Sequence, residues 1–262
     1  MLIDSHCHLD AEYWPDGPGE ILARAEAVGV GAFVCIGVGR DLGPARGAVA
    51  LAEAKENVFA TVGVHPHDAS SLDEVAFDEL ARLARHPKVV AIGEVGLDHH
   101  YDHSPREVQG QVFRRMIALA REVRKPLVIH TRNAASDTLS ILEDEKARDV
   151  GGIIHCFSEN RAFAERALAL DFDLSFSGIL TFKKAHEIRE AASFAPLDRI
   201  LVETDSPYLA PVPLRGKTCE PGYVVHTAKC LAELRGTSLE EIARATTANA
   251  VRRLALSLPP GE

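Results

Sequence analysis

Leu2-Ile3-Asp4-Ser5-His6-Cys7-His8-Leu9-Asp10 is the stretch that decides the architecture. It starts apolar, as a buried strand would, and turns within a few residues into a run of imidazoles and carboxylates. No Gly-rich loop follows it, so it is not the opening strand of a dinucleotide-binding, doubly wound sheet. The period-two alternation of a strand points His6 and His8 to one face, where two imidazoles can chelate one ion.

The same pattern recurs along the chain. Short Val- and Ile-rich runs predict strands at Leu2 to Ser5, Ala32 to Ile36, Val58 to Val64, Val89 to Gly93, Leu127 to Ile129, Gly152 to Ile154, Leu174 to Ser177 and Ile200 to Val202. Amphipathic stretches such as Glu20 to Val28, Asp73 to Arg85 and Ser104 to Val123 lie between them and read as crossover helices. Ser104-Pro105-Arg106-Glu107 predicts a capping box with Pro at the first helical position. Thr237-Ser238-Leu239-Glu240-Glu241 opens a last helix expected to run to about Leu256, after which Pro259 and Pro260 end the chain. With no internal repeat or linker, residues 1–262 read as a single domain of α/β class, a TIM-type (β/α)8 barrel.

Composition narrows the function. Of 262 residues 46% are hydrophobic, enough for a large core, and the net charge of -9 means that the chain as a whole does not attract polyanions. Any nucleic-acid contact must be local. Five scattered cysteines, Cys7, Cys35, Cys156, Cys219 and Cys230, never form Cys-x-x-Cys, which argues against a disulfide framework or a zinc knuckle and for a reducing compartment. The start of the chain lacks a basic and then apolar leader, and nowhere do roughly 18 apolar residues run together. The expectation is a soluble cytoplasmic protein with no membrane partner.

Chemistry-bearing residues sit where strands end. Glu94 follows Val89 to Gly93, His130 follows Leu127 to Ile129, His155 follows Gly152 to Ile154, and Asp205 comes shortly after Ile200 to Val202. In a closed parallel barrel those C-terminal ends form one rim, where barrel enzymes place their reactions. Imidazoles and carboxylates without thiolate suit Zn²⁺, Mn²⁺ or Mg²⁺. Six donors are too many for one catalytic ion with an open position. A shared carboxylate would let two divalent ions sit roughly 3.5 to 4 Å apart and activate a water between them. Glu94 is the natural bridge: His6, His8, Asp205 and one Glu94 oxygen for one ion, His130, His155 and the other Glu94 oxygen for the second. Asp205 is also placed to take the proton of the attacking water. Asp4 shares the strand face of His6 and His8 and is expected to orient a ligand imidazole.

The segments Asp4 to Asp10, Gly63-Val64-His65-Pro66-His67, Gly93-Glu94-Val95-Gly96-Leu97-Asp98, Ile129-His130-Thr131-Arg132, Ile154-His155-Cys156-Phe157-Ser158 and Glu203-Thr204-Asp205-Ser206-Pro207-Tyr208-Leu209 follow one another in that order. Together they resemble the TatD family of metal-dependent deoxyribonucleases, within the amidohydrolase superfamily, over nearly the whole chain. The resemblance implies a TIM-type barrel, the same six ligands, and His65 near the phosphate site. It also implies phosphodiester hydrolysis of DNA, of 3'-5' exonuclease type, supported by Mg²⁺ or Mn²⁺. The chain departs from the family's usual pattern at His99, Glu159 and Cys219, where an aromatic residue, Gly and Asn are common. These positions lie in rim loops and bear on substrate preference.

Arg132, Lys183, Lys184, Arg215 and Lys217 are candidate phosphate partners, and Tyr101, Phe182 and Tyr208 candidate base-stacking surfaces. The expected partner is DNA, single-stranded or at a strand end, entering a narrow positive mouth of a monomer. Hydrolysis of an amide or small ester, including the ester of aminoacyl-tRNA, is the alternative, because an activated water attacks carbonyl and phosphoryl centres alike. Many such amidohydrolases bridge their metals with a carboxylated Lys, and no Lys stands beside Glu94. A metal-stabilised scaffold without turnover is the remaining alternative, and an intact donor set argues against it.

Overall fold

The computed structural model describes residues 1–258, so the predicted Pro259 and Pro260 ending lies outside the described residues. Eight parallel strands follow one another in sequence order: β1 (Leu2–Cys7), β2 (Val30–Gly37), β3 (Val58–Val62), β4 (Val89–Asp98), β5 (Leu127–Arg132), β6 (Gly152–Ile154), β7 (Phe172–Phe176) and β8 (Ile200–Val202). The helices between them are α1 (Gly19–Ala27), α2 (Gly43–Ala54), α3 (Glu74–Leu83), α4 (Arg106–Val123), α5 (Ala135–Asp144), α6 (Arg161–Ala169) and α7 (His186–Phe194), and α8 (Val224–Arg235) and α9 (Leu239–Leu254) follow β8. The result is the expected TIM barrel.

Among the described residues its circle is closed by one isolated bridge, Cys7 to Ser206, reinforced where the amide of Asp205 donates to the His6 carbonyl at 2.9 Å and the amide of His8 to the Ser206 carbonyl at 2.8 Å. The seam therefore runs between the residues predicted to share an ion.

Alternating strand residues sort into two cores. Leu2, Phe33, Val62, Ile92, Ile129 and Phe176 pack with the helices, whereas Ile3, Ala32, Val34, Ala91, Val128, Ile153 and Leu201 form a separate cluster. Ala250 and Leu254 of α9, with Leu256 just beyond it, join that second cluster, so α9 plugs the N-terminal end of the barrel. Below it, buried Asp173 takes Arg199, Arg252 and Arg253, and Asp171 takes Arg199 and Arg253 again, which clasps α9 to the start of β7.

Three local readings need correction. The predicted box at Ser104 does not form: α4 is preceded by Pro105 without a side-chain cap, and the Ser104 hydroxyl instead accepts from the Ser70 amide and donates to the His67 carbonyl, tying two rim loops together. Strand β4 continues past Gly93 to Asp98. The last helix ends at Leu254, although its predicted start holds, with Ser238 accepting from the Glu241 amide. All five cysteines are free thiols, and among the described residues no helix is long and apolar enough to cross a membrane.

Candidate metal centre

Local irregularities aim the donors inward. In the β4–β5 ladder Gly93 pairs with Val128 and Val95 with Ile129, which leaves Glu94 without a partner. Such a bulge kinks the strand and redirects its side chain. Strand β1 also slips against β2 between Asp4 and Cys7, around Ser5 and His6. Gly96 lies where β4 passes tightly against β5: its φ is +143°, and a Cβ there would stand 1.9 Å from the His130 carbonyl oxygen. Only glycine lets the Glu94 strand approach the His130 strand so closely.

All six predicted donors converge. Glu94 Oε1 lies 2.8 Å from both His130 Nδ1 and His155 Nε2 and 3.5 Å from His65 Nε2. Its other oxygen, Oε2, faces His6 Nε2 at 3.4 Å, and His6 and His8 reach Asp205 Oδ1 at 3.5 and 3.6 Å. Three donor groups result: His6 with His8 and Asp205, Glu94 with His130 and His65, and His6 with His155 and Glu203. His155 stacks on His6 with ring centroids 3.8 Å apart. Neither ring nitrogen of buried His6 has a hydrogen-bond partner. Burying such nitrogens without a partner is costly, and a cation is the partner this donor chemistry fits.

Charge balance points the same way. Burial works to raise Glu94, yet the imidazoles of His155, His65 and His130 hold its carboxyl well below the ordinary range. Asp205 is likewise lowered against its burial by His8, His155 and His6. Burial opposes the charged forms of His8, His130 and His155, but neighbouring carboxylates raise all three, led by Asp205, Asp98 and Glu94 respectively. The carboxylates thus favour positive charge among these imidazoles, which is what a bound cation would supply. His65 goes the other way, pushed down to about 4 chiefly by burial.

The sequence reading picked Asp4 as the supporting carboxylate and missed Glu203 and Asp98. Asp4 does not touch an imidazole; its oxygens accept from the amides of His6 and Thr204 and from the Thr204 hydroxyl, stapling β1 to the residues after β8. Glu203 takes the orienting role instead, with Oε1 placed 3.1 Å from His155 Nδ1 and accepting the Cys156 amide at 2.7 Å. Asp98 does the same for His130: its Oδ2 lies 3.2 Å from His130 Nε2 and 3.0 Å from His67 Nε2. Both follow strand runs directly, at the end of β4 and after β8, and that placement was the available signal.

The predicted substrate residues sit at the mouth. Arg132 lies over the Tyr101 ring at 4.7 Å and Arg215 over the Phe182 ring at 4.0 Å, so guanidinium planes cover those aromatic faces. Lys183, Lys184 and Lys217 are exposed, and Tyr208 leans edge-on to His8 with ring centroids 6.0 Å apart. Tyr13, not predicted, meets Tyr208 there with hydroxyls 2.5 Å apart.

A barrel of eight parallel strands with imidazoles and carboxylates gathered at its C-terminal rim is an arrangement suited to a metal-dependent hydrolase. The chain belongs to the TatD family: the model described as TatD related DNase matches residues 3–255. It is 44% identical to the uncharacterized metal-dependent hydrolase YabD of Bacillus subtilis (strain 168), covering 96% of this chain and 98% of that one. It is 32% identical to the 3'-5' ssDNA/RNA exonuclease TatD of Klebsiella pneumoniae (strain 342), over 95% of each. The crystal structure of YJJV, a TatD homologue from Escherichia coli k12, superposes with a TM-score of 0.89 at 28% identity, covering 98% of both chains.

Proposed function

We propose that the chain is a deoxyribonuclease that hydrolyses DNA phosphodiesters from a 3' end, as a cytoplasmic monomer using two divalent cations, Mg²⁺ or Mn²⁺ with Zn²⁺ as a further candidate. The observation that carries this reading is Glu94, whose two oxygens face separate donor groups. His6, His8, Asp205 and Glu94 would hold one ion, and Glu94, His130 and His155 the other, with His65 beside them. When bound, the ions supply Lewis-acid polarisation of a phosphoryl oxygen and a lowered pKa for water. The relative from Klebsiella pneumoniae, named for ssDNA and RNA exonuclease activity, supports nucleic acid as the substrate.

The side chains divide the remaining work. Asp205, kept ionised by its histidine neighbours, accepts the proton of the attacking water. His65, neutral at pH 7, offers an N–H to a phosphoryl oxygen without adding charge. Arg132, Lys183 and Arg215 hold flanking phosphates, and Tyr208 contacts the nucleotide at the mouth.

A time course on end-labelled single- and double-stranded DNA with each metal, run for wild type and Asp205→Ala, tests the proposal. Shortening from 3' ends that Asp205→Ala slows by a factor of about 10² or more is expected. Cleavage of aminoacyl-tRNA or an amide in parallel assays, with DNA left intact, would overturn it.

A further inference from the structure

Tyr13 and Tyr208 come from opposite sides of the barrel seam and meet over His8. Tyr13 lies in the loop after β1, its amide donating to the Asp10 carbonyl, and its neighbour Trp14 donates from Nε1 to the His8 carbonyl at 2.9 Å. Tyr208 follows β8, with its amide donating to the Asp205 carbonyl at 2.9 Å. Each phenol is thus anchored by backbone to a segment that carries candidate ligands. The rings stand nearly perpendicular, at 78° with centroids 5.7 Å apart, and each is 6.0 Å from the His8 ring.

The two hydroxyls carry two protons, and the bond between them uses one. Among the described residues neither hydroxyl has another partner. The second proton is therefore free to be donated outward, beside the His8 and Asp205 donors. Tyr208 is 47% exposed, which leaves ring surface open to a ligand. A paired donor flanked by aromatic surface suits a sugar–phosphate oxygen with its base alongside, and is wasted on a ligand that lacks either.

Resting on the nuclease reading, we infer that Tyr13 and Tyr208 work as one unit that grips the nucleotide carrying the scissile diester and so makes the enzyme prefer nucleotidic over small diesters. The test compares kcat/KM for an oligodeoxythymidylate with that for methyl p-nitrophenyl phosphate, which has no base or sugar. Tyr13→Phe leaves the Tyr208 hydroxyl its proton but removes the bond that orients it, and should lower the oligonucleotide-to-small-diester ratio about five- to tenfold, mainly through the oligonucleotide KM. Tyr13→Ala also removes ring surface and should lower the ratio by about a hundredfold. Bound metal, measured on both variants, should match wild type. Should Tyr13→Ala misfold, Tyr13→Phe decides alone. Ratios within twofold of wild type would overturn the tyrosine unit only. Wild type that leaves the oligonucleotide uncut would overturn the nuclease reading and this inference together.

Discussion

The amide of Asp205 donates to the carbonyl of His6 across 2.9 Å, so two candidate ligands from opposite ends of the sequence are joined through backbone before any ion is considered. Closing the barrel and assembling the first donor group are one event. A side chain lost at either position leaves that backbone bond in place, and ligand substitutions should therefore weaken metal binding more than folding.

Asp98 offers a sharper probe of metal affinity. Its Oδ2 faces both His130 and His67, while Oδ1 accepts the amides of His100 and Tyr101. Asp98→Asn keeps one carbonyl oxygen for the loop but removes the charge behind His130. Metal affinity should fall about 10- to 100-fold, measured by competition with a chromophoric chelator, with an unchanged circular dichroism spectrum. Equal affinity in the variant would show that His130 needs no such support.

His65 supplies a pH signature in the metal-free protein. Burial brings its folded value to about 4, below the unfolded value of about 6.5. Between those pH values the unfolded chain binds the extra proton, so stability from this residue is full above pH 6.5 and lost as pH falls toward 4. His65→Gln should flatten the acid side of the stability curve in urea denaturation measured from pH 7 to 4. Parallel curves for the two proteins would contradict the assignment.

Glycine positions give opposite expectations. Gly96→Ala would drive a Cβ into the His130 carbonyl at 1.9 Å, and the variant should fail to accumulate as folded protein. Gly47 is exposed within α2, and a Cβ there meets nothing within 4 Å. Gly47→Ala should add about 0.5–1 kcal/mol of stability, read from the shift in denaturation midpoint.

Asp173 is fully buried among Arg199, Arg252 and Arg253. Asp173→Ala leaves Arg252 without its carboxylate and Arg199 and Arg253 with Asp171 alone, and should lower the urea denaturation midpoint measurably. Metal content of the folded fraction should stay at the wild-type level, because the site lies at the other end of the barrel.

The sequence made the architecture legible because parallel barrel strands are buried on both faces and read as unbroken apolar runs. His6, Glu94, His130, His155 and Asp205 could be found because each stands where such a run stops. Strand β4 was cut short at Gly93 because glycine ordinarily weakens a strand; here Gly93 and Gly96 mark close backbone approach, which depends on the neighbouring strand. Ser104 was misread for the same kind of reason: its hydroxyl had a local role open to it and a tertiary partner claimed it. Glu203, Asp98 and Tyr13 act through residues distant in sequence or across the seam, and no periodicity reports such pairings.

The arginine clasp around Asp171 and Asp173 has a consequence for how the molecule can change. It fastens the plug helix to the barrel floor, while the mouth is built from loops that take no part in that fastening. His99 and Glu159 stand in loops outside that fastening, so a change at either leaves the anchorage of the foundation as it is.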